Sequence, residues 1–331
     1  MSIDLTRNFF RLLLHFRRQD LENFANEHDQ LFAVAKQSND HSTVTSHYYS
    51  VMSAVIDEYF NGNFHFVPPE KDGLTLEEAL RLLHQRIGKC LELGPGKKCI
   101  DIGCGIGGVI HDLEETGADI TGITIAPNEV EIGNKNFKQL GIYPRCQLVE
   151  GDCHHMSFED SSIDAAYAIY ALKYFVNLDP IMTEVSRVLK RKGLFVVYDL
   201  IKTDKYDETN KEHREIVEGL EYACGMPSLH YREEMIRKAD AAGLKLVNNI
   251  DLGEQLGQPF YYCFTSSRLF MWLVQSPVIS TLVKIGQYLG LLPKGFHRFN
   301  TTFLAGTVDK IVRGGQLGIL SGAEILLFEK Q

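Results

Sequence analysis

One tryptophan, ten prolines and no pair of cysteines at C-x-x-C spacing mark what this 331-residue chain has little of. Its seven cysteines stand at 90, 99, 104, 146, 153, 224 and 263, an odd number without regular spacing. That excludes a disulfide framework or a zinc ribbon as the organising device and points to a reducing compartment with buried thiols. Positive charge is also short: 34 Lys and Arg face 43 Asp and Glu, a formal charge of −9. A general nucleic-acid surface is not expected from that balance. No apolar run reaches the roughly 18–20 residues of a membrane span. The nearest approach, Leu269 to Val283, is interrupted by Gln275, Ser276 and Pro277. Phe9 to Phe16 is broken by Arg11 and His15 without a small-residue cleavage site, so no secretory signal is expected.

Glycine, by contrast, is concentrated. In CIDIGCGIGG, Cys99 to Gly108, an apolar strand ends in Asp101 and runs straight into Gly103, Gly105, Gly107 and Gly108. Glycine serves where backbone turns sharply or a ligand approaches it closely. Such a strand-loop-helix unit holds a nucleotide-like cofactor at the edge of a parallel sheet. Gly103, Gly105 and Gly108 satisfy G-x-G-x-x-G, but the dinucleotide fingerprint also needs an acid at the tip of the second strand. That strand, Asp119 to Thr124, runs out through Ile125, Ala126 and Pro127 with no acid at its tip; Glu129 and Glu131 follow in a helical pattern.

An S-adenosylmethionine reading gains anchors instead. Asp101 is placed to organise the loop and meet the cofactor's ammonium group. Val149 to Cys153 closes a third strand with Asp152, which can accept from an adenine amino group. A fourth strand, Ile163 to Ile169, and a fifth, Gly193 to Tyr198, follow, the latter after a basic helix end at Lys190–Lys192. The expected fold class is therefore α/β: a doubly wound, Rossmann-like methyltransferase sheet with helices added at both ends of the chain. Residues 1–95 read as a helical cap, with Leu76, Leu80, Leu83 and Ile87 forming one buried stripe. Residues 96–200 are the cofactor-binding core. Residues 201–331 read as a cover that returns to the sheet through strands at Leu244–Ile250 and Glu324–Phe328. In this last part a charged stretch, Thr203 to Arg214, leads into Gly219–Pro227, and helices are expected at Arg232–Ala242, Phe260–Val274, Val278–Leu292 and Phe299–Val312. The adjacent His154 and His155 read as surface loop residues, and no metal site is expected.

The chain resembles the sterol C-methyltransferase family over nearly its whole length. The resemblance rests on His47-Tyr48-Tyr49, Phe64-His65-Phe66, CIDIGCGIGG, TDKYDETNKEHR (Thr203–Arg214), Gly225-Met226-Pro227, Leu289–Pro293 and Gly314-Gly315. It implies that Tyr48, His65, Asp101, Gly103, Gly105, Gly107, Thr124, Ile125, Asp152, Cys153 and Ile169 surround S-adenosylmethionine. It also implies a sterol cavity in the last third. Leu269 to Val274, Val278, Ile279, Leu282, Val283 and Leu291 would supply the apolar wall that a rigid hydrocarbon needs. Part of that stripe, with Phe9–Arg18, is expected to touch a membrane surface, which makes the protein cytoplasmic and peripheral on the endoplasmic reticulum. Oligomeric state is not legible.

One departure is informative. The branch methylating the sterol side chain at C-24 carries an acid and a histidine after the fourth strand and an acid before Gly-x-Pro. Here Tyr170, Tyr174 and Cys224 stand there, and Asp57–Asn63 is rewritten as well. Side-chain attack makes a carbocation that aromatic faces stabilise. Attack from C-4 of the nucleus needs a 3-ketone, a base at C-4 and a donor at the oxygen. The pattern resembles the nematode-type, C-4-methylating branch. Candidates for base or oxygen binding are His65, Tyr170, Tyr174, Asp199 and Glu221, each of which also has a packing role open to it. Alternatives are C-24 methylation, N-methylation of phosphoethanolamine or another small amine, and a catalytically silent lipid-binding protein.

Overall fold

The computed structural model describes residues 14–60 and 62–331, apart from the Asp57 side chain. Parallel strands β1 (Lys98–Ile102), β2 (Asp119–Thr124), β3 (Cys146–Glu150), β4 (Ile163–Ile169) and β5 (Leu189–Tyr198) form the sheet's centre. A short ribbon pairs β6 (Ile201–Lys202) with β8 (Leu320–Ser321). Strands β7 (Leu244–Asp251) and β9 (Glu324–Lys330) extend the main sheet antiparallel to their neighbours, giving the order β3-β2-β1-β4-β5-β9-β7. The winding direction reverses between β1 and β4, so their carboxyl ends open a crevice where such sheets bind ligands.

The central strands are apolar on both sides because both sides are covered. Cys99, Ala165, Tyr167, Val196 and Tyr198 pack into one core, while Ile100, Ile102, Ala166, Ala168, Phe195 and Val197 pack into the other. Helices α1 (Leu21–Ser38) and α2 (Ser42–Phe60) precede α3 (Leu76–Cys90), which a reciprocal Thr75–Glu78 capping box starts. The expected stripe of Leu76, Leu80, Leu83 and Ile87 is buried. Helices α4 (Gly108–Leu113) and α5 (Pro127–Gln139) follow β1 and β2. Beyond β4 come α6 (Leu178–Val188), α7 (Lys211–Cys224) and α8 (Arg232–Ala241). The last third contains α9 (Leu252–Leu256), α10 (Tyr262–Thr265), α11 (Arg268–Gln275), α12 (Pro277–Tyr288), α13 (Phe296–Phe299) and α14 (Ala305–Gln316). The two ends of the chain close on each other: Phe24 of α1 packs edge-on to Phe299 and Phe303, and Arg298 reaches Asp29 at 2.6 Å.

Several sequence expectations are corrected. Lys190–Lys192 is strand, not helix end; α6 stops at Val188, and Lys190 crosses to Asp164 of the neighbouring strand at 2.9 Å. Gly219 lies inside α7, which runs on to Cys224, and a side chain there would meet the end of Lys310 of α14 at 2.4 Å. The helix expected over Phe260–Val274 is broken in two, since the Ser267 hydroxyl caps a new start by accepting from Phe270 N. The expected apolar wall is also divided. Phe270 is buried, but Leu269, Trp272, Val278, Leu282 and Leu291 are each more than half exposed, and α12 buries no residue. Among the described residues no single helix is long and apolar enough to cross a membrane; α11 and α12 would meet the length and composition only as a pair bent by 61°. Of Phe9–Arg18, residues 9–13 lie outside the described residues.

Candidate functional site

The crevice is built from the loop after β1. Gly103 and Cys104 donate their amides to the carbonyl of Ile123, which draws the loop against the tip of β2. Gly105 sits at φ +53° with no atom within 4 Å of where a side chain would project, so its backbone is bare on the crevice side. Asp101, 2 % exposed, stands one residue before the end of β1 with one carboxylate oxygen lacking a hydrogen-bond partner among the described residues. Burial pushes its carboxyl up to about 7; the nearby Tyr167 hydroxyl opposes the shift but closes no well-formed bond with that oxygen. A buried carboxylate left short of a donor is costly, and a ligand ammonium would answer it. The residues thus fit S-adenosylmethionine.

The remaining cofactor candidates surround this loop. Thr124 and the exposed Ile125 stand at the tip of β2, Ile169 ends β4, and Gly107 starts α4. Cys153 is buried, and burial pushes its thiol up to about 12, the thiol of an inert packing residue. Asp152 follows β3 but bonds locally, accepting from His154 N at 2.9 Å and His154 Nδ1 at 2.8 Å. Desolvation would raise its carboxyl, but these bonds to His154 hold it below the usual range. One acid missing from the strand tip returns through space. The Thr124 hydroxyl donates to Glu129 at 2.6 Å, because Pro127 starts α5 at once and its first turn folds back over β2. Glu129 is therefore a further candidate for the ribose hydroxyls. Its one-turn distance from the strand was the only signal.

The segment Gly62–Val67 crosses the glycine loop. A side chain at Gly62 would meet Ile106, and one at Gly108 would meet Asn63. Tyr198 secures this strap by donating to Phe66 O at 2.6 Å. His65, 3 % exposed, points inward, its ring 5.9 Å from Tyr170. Burial, then His84 and Lys173, hold its imidazole well below the usual range, so it stands neutral.

The positions where this chain departs from the side-chain-methylating pattern gather beside α2. Tyr49 and Tyr174 share a hydrogen bond of 2.7 Å. The Cys224 thiol lies 3.9 Å from the hydroxyl of Tyr48, which is wholly buried. Burial raises all four protons' affinities, pushing Cys224 up to about 11. Tyr170 has a different task. It leaves β4 at φ +52°, a strained conformation for a bulky residue, and donates its hydroxyl to Gly322 O at 3.0 Å. Its hydroxyl is thus committed to packing, while its ring serves the site.

That service is to Lys173, which the sequence reading missed. Lys173 Nζ lies 4.4 Å from the Tyr170 ring centre and 4.8 Å from that of Tyr174, bonds to Tyr170 O, and stands 3.6 Å from Asp199. Burial lowers its proton affinity while Asp199 opposes. Asp199 accepts from the amides of Lys173 and Leu200 at 3.1 and 2.8 Å, and burial raises its carboxyl against these partners. A lysine in a turn after an apolar strand reads as surface, so only its neighbours reveal it. Glu221 stands apart: it accepts from Leu229 N at 2.8 Å, with burial raising its carboxyl and Lys202 opposing. It braces the Gly225–Leu229 turn and joins neither Lys173 nor His65. His154 is partly and His155 largely exposed, and among the described residues no three His, Cys, Asp or Glu side chains group to hold a metal.

A Rossmann-like sheet with this cradle defines an S-adenosylmethionine-dependent methyltransferase. Residues 100–197 match the family profile described as a methyltransferase domain. Solved structures agree on the fold. A geranyl diphosphate C-methyltransferase from Streptomyces coelicolor, crystallised with S-adenosyl-L-homocysteine, superposes with a TM-score of 0.62 at 15% identity, covering 81% of this chain and 90% of its own. A putative sarcosine dimethylglycine methyltransferase from Galdieria sulphuraria gives 0.65 at 18% identity, covering 84% and 97%. Among sequence relatives, Sterol 4-C-methyltransferase strm-1 of Caenorhabditis elegans is 57% identical over all of this chain and 99% of its own. Sterol 24-C-methyltransferase of Yarrowia lipolytica is 31% identical over 84% and 76%. The chain belongs to the sterol C-methyltransferase family.

Proposed function

We propose that this protein transfers a methyl group from S-adenosylmethionine to C-4 of a sterol nucleus carrying a 3-oxo group. When bound, the cofactor supplies an electrophilic methyl carbon and keeps the electron pair of the broken carbon–sulfur bond. The chain's own residues have two tasks: to remove a proton from C-4, and to hold the oxygen where negative charge develops. His65, neutral and buried, is suited to the first. Lys173 and the paired hydroxyls of Tyr49 and Tyr174 are suited to the second, as donors in a site that excludes water.

The observation that carries this reading is the charge of the site. A lysine ammonium at the Tyr170 and Tyr174 faces occupies the aromatic surface that a carbocation would need, and repels a cation beside it. The same ammonium attracts an enolate. The strm-1 relative's name, Sterol 4-C-methyltransferase, supports the position.

The test is incubation of the purified protein with labelled S-adenosylmethionine and, separately, 3-keto, 3-hydroxy and Δ24 sterols, the product being located by NMR. Label at C-4 of the 3-keto sterol is expected. Label confined to the Δ24 side chain overturns the reading, as does sterol binding without transfer.

The outward apolar face supports a membrane partner. Leu269, Trp272, Val278, Leu282, Tyr288 and Leu291 are exposed, and residues 255–308 hold no acid; of their cations Lys294 and Arg298 pair with Glu22 and Asp29 of α1, which leaves Arg268 and Lys284 for lipid headgroups. In a chain of net −9 that segregation suits an anionic lipid surface. On this reading the protein is cytoplasmic and rests peripherally on a sterol-bearing membrane such as the endoplasmic reticulum.

A further inference from the structure

His65 does not stand alone. Its Nε2 lies 2.6 Å from Nε2 of His84, and Nδ1 of His84 lies 2.6 Å from Oδ2 of Asp112. Helix α3 carries His84 on its buried face, four residues after Leu80, and α4 carries Asp112 across from it. His84 is completely buried; the Asp112 side chain is 15% exposed, and its other oxygen is 3.4 Å from Nδ1 of His111, which is more than half exposed. The row of contacts therefore runs from the crevice to solvent.

The partners dictate where the protons sit. A carboxylate only accepts, so the Nδ1 of His84 carries a hydrogen toward Asp112. In the neutral ring its Nε2 is then an acceptor, and the hydrogen between the imidazoles belongs to Nε2 of His65. The lone pair of His65 is left on Nδ1, the ring nitrogen that does not meet His84. A hydrophobic stripe has no need of a histidine. One that is wholly buried and bonded at both nitrogens transmits an orientation.

We propose that His84 and Asp112 form a positioning relay that keeps Nδ1 of His65 unprotonated and conducts the proton of each turnover out of the closed site. This rests on the C-4 reading above. The C-4–H bond breaks toward Nδ1 of His65, and its electron pair stays on the substrate as the enolate. The Nε2 hydrogen of His65 then passes to Nε2 of His84, the Nδ1 hydrogen of His84 passes to Asp112, and Asp112 releases it to water or His111. When the site opens, water takes the hydrogen from Nδ1 of His65, His84 returns its Nε2 hydrogen to Nε2 of His65, and Asp112 hands a proton from solvent back to Nδ1 of His84, which restores the starting form. Lys173, from the turn after β4, also faces His65, and its charge disfavours holding the proton there, which makes an exit useful.

Asp112→Asn tests the relay. An amide can donate to Nδ1 of His84, turning both rings to the opposite tautomer and placing a hydrogen on the basic atom of His65. An orienting carboxylate of this kind is worth up to about 10⁴ in kcat elsewhere. The full chain with S-adenosyl-L-homocysteine bound is incubated in D2O with a 3-keto sterol, and deuterium entry at C-4 is followed without methyl transfer. Asp112→Asn and His84→Gln are expected to slow exchange and kcat by about 10²-fold or more, with cofactor affinity unchanged. Asp112→Glu is expected to recover most of the rate. Nitrogen NMR of labelled histidines should show Nδ1 of His65 bare in the wild type and protonated in Asp112→Asn. Wild-type exchange and an unchanged tautomer in folded Asp112→Asn overturn the relay while C-4 methylation stands. A wild type that methylates elsewhere overturns the functional reading itself, and the product shows it before any variant is made.

Discussion

Lys173 Nζ and Asp199 Oδ1 lie 3.6 Å apart, with both side chains almost wholly enclosed. Neither charge reaches solvent, so each depends on the other and on the backbone amides and tyrosine faces around them. Removing one partner of such a pair costs about 3–5 kcal/mol, because the other charge is stranded. Lys173→Met should therefore lose stability of that order in urea unfolding, and Lys173→Met combined with Asp199→Asn should regain part of it. A single variant within about 1 kcal/mol of wild type would mean that the carboxylate left behind finds water. The single variant should also lose C-4 methylation more severely than cofactor binding.

Asp101 sets a pH dependence for the cofactor. Burial pushes its carboxyl up to about 7, so the uncomplexed protein carries the carboxylate mainly above that pH. An ammonium ligand binds the ionised form, and apparent affinity scales with the fraction in the competent state. Calorimetric titration should find Kd about tenfold weaker at pH 6 than at pH 8, a dependence that Asp101→Asn should abolish along with most of the affinity. The sign for stability is opposite. The folded carboxyl holds its proton at higher pH than the unfolded one, so this group's contribution falls as pH rises from about 4 to 7. Cofactor should restore it. A flat Kd between pH 6 and pH 8 would place the ammonium elsewhere.

The apolar face of α11 and α12 makes a third test. Trp272→Ser with Leu282→Ser should reduce co-sedimentation with vesicles containing anionic lipid several-fold, while leaving the melting temperature nearly unchanged. Both side chains are more than half exposed, so little packing is lost. Equal sedimentation of wild type and variant would count against a lipid-facing role, and equal binding to purely zwitterionic vesicles against the preference for anionic lipid.

The cofactor itself was legible in the sequence. The glycine loop, Asp101 and the strand ends are local signals: a backbone forced to positive φ needs glycine, and a strand buried on both sides is apolar at every position. The acceptor half was legible only in outline. His65, Tyr174, Cys224 and Asp199 were singled out and do face one region, but Glu221 proved to brace a turn and Tyr170 to spend its hydroxyl on Gly322 O. Lys173, His84 and Asp112 went unnoticed, and Glu129 was seen only as a helix residue beyond the strand tip. His84 had left a trace, since it continues the Leu80 stripe of a helix at four-residue spacing, where a polar residue calls for a partner. The apolar run of the last third misled because hydrophobicity gives no direction. Trp272 and Leu282 turn outward while Phe270 turns inward.

By itself the amino-acid order determined the alternation of strands and helices, the cap before α3, and the cradle for a charged cofactor. Each depends on residues close together in the chain, through periodicity or a single backbone angle. Tertiary structure alone decided which polar groups meet: His65 with His84 and Asp112, Tyr49 with Tyr174, and Lys173 with its two rings and Asp199. The reason is dielectric. A charged or hydrogen-bonding side chain is unremarkable in water, and only burial among partners from distant segments makes its proton worth holding or passing on.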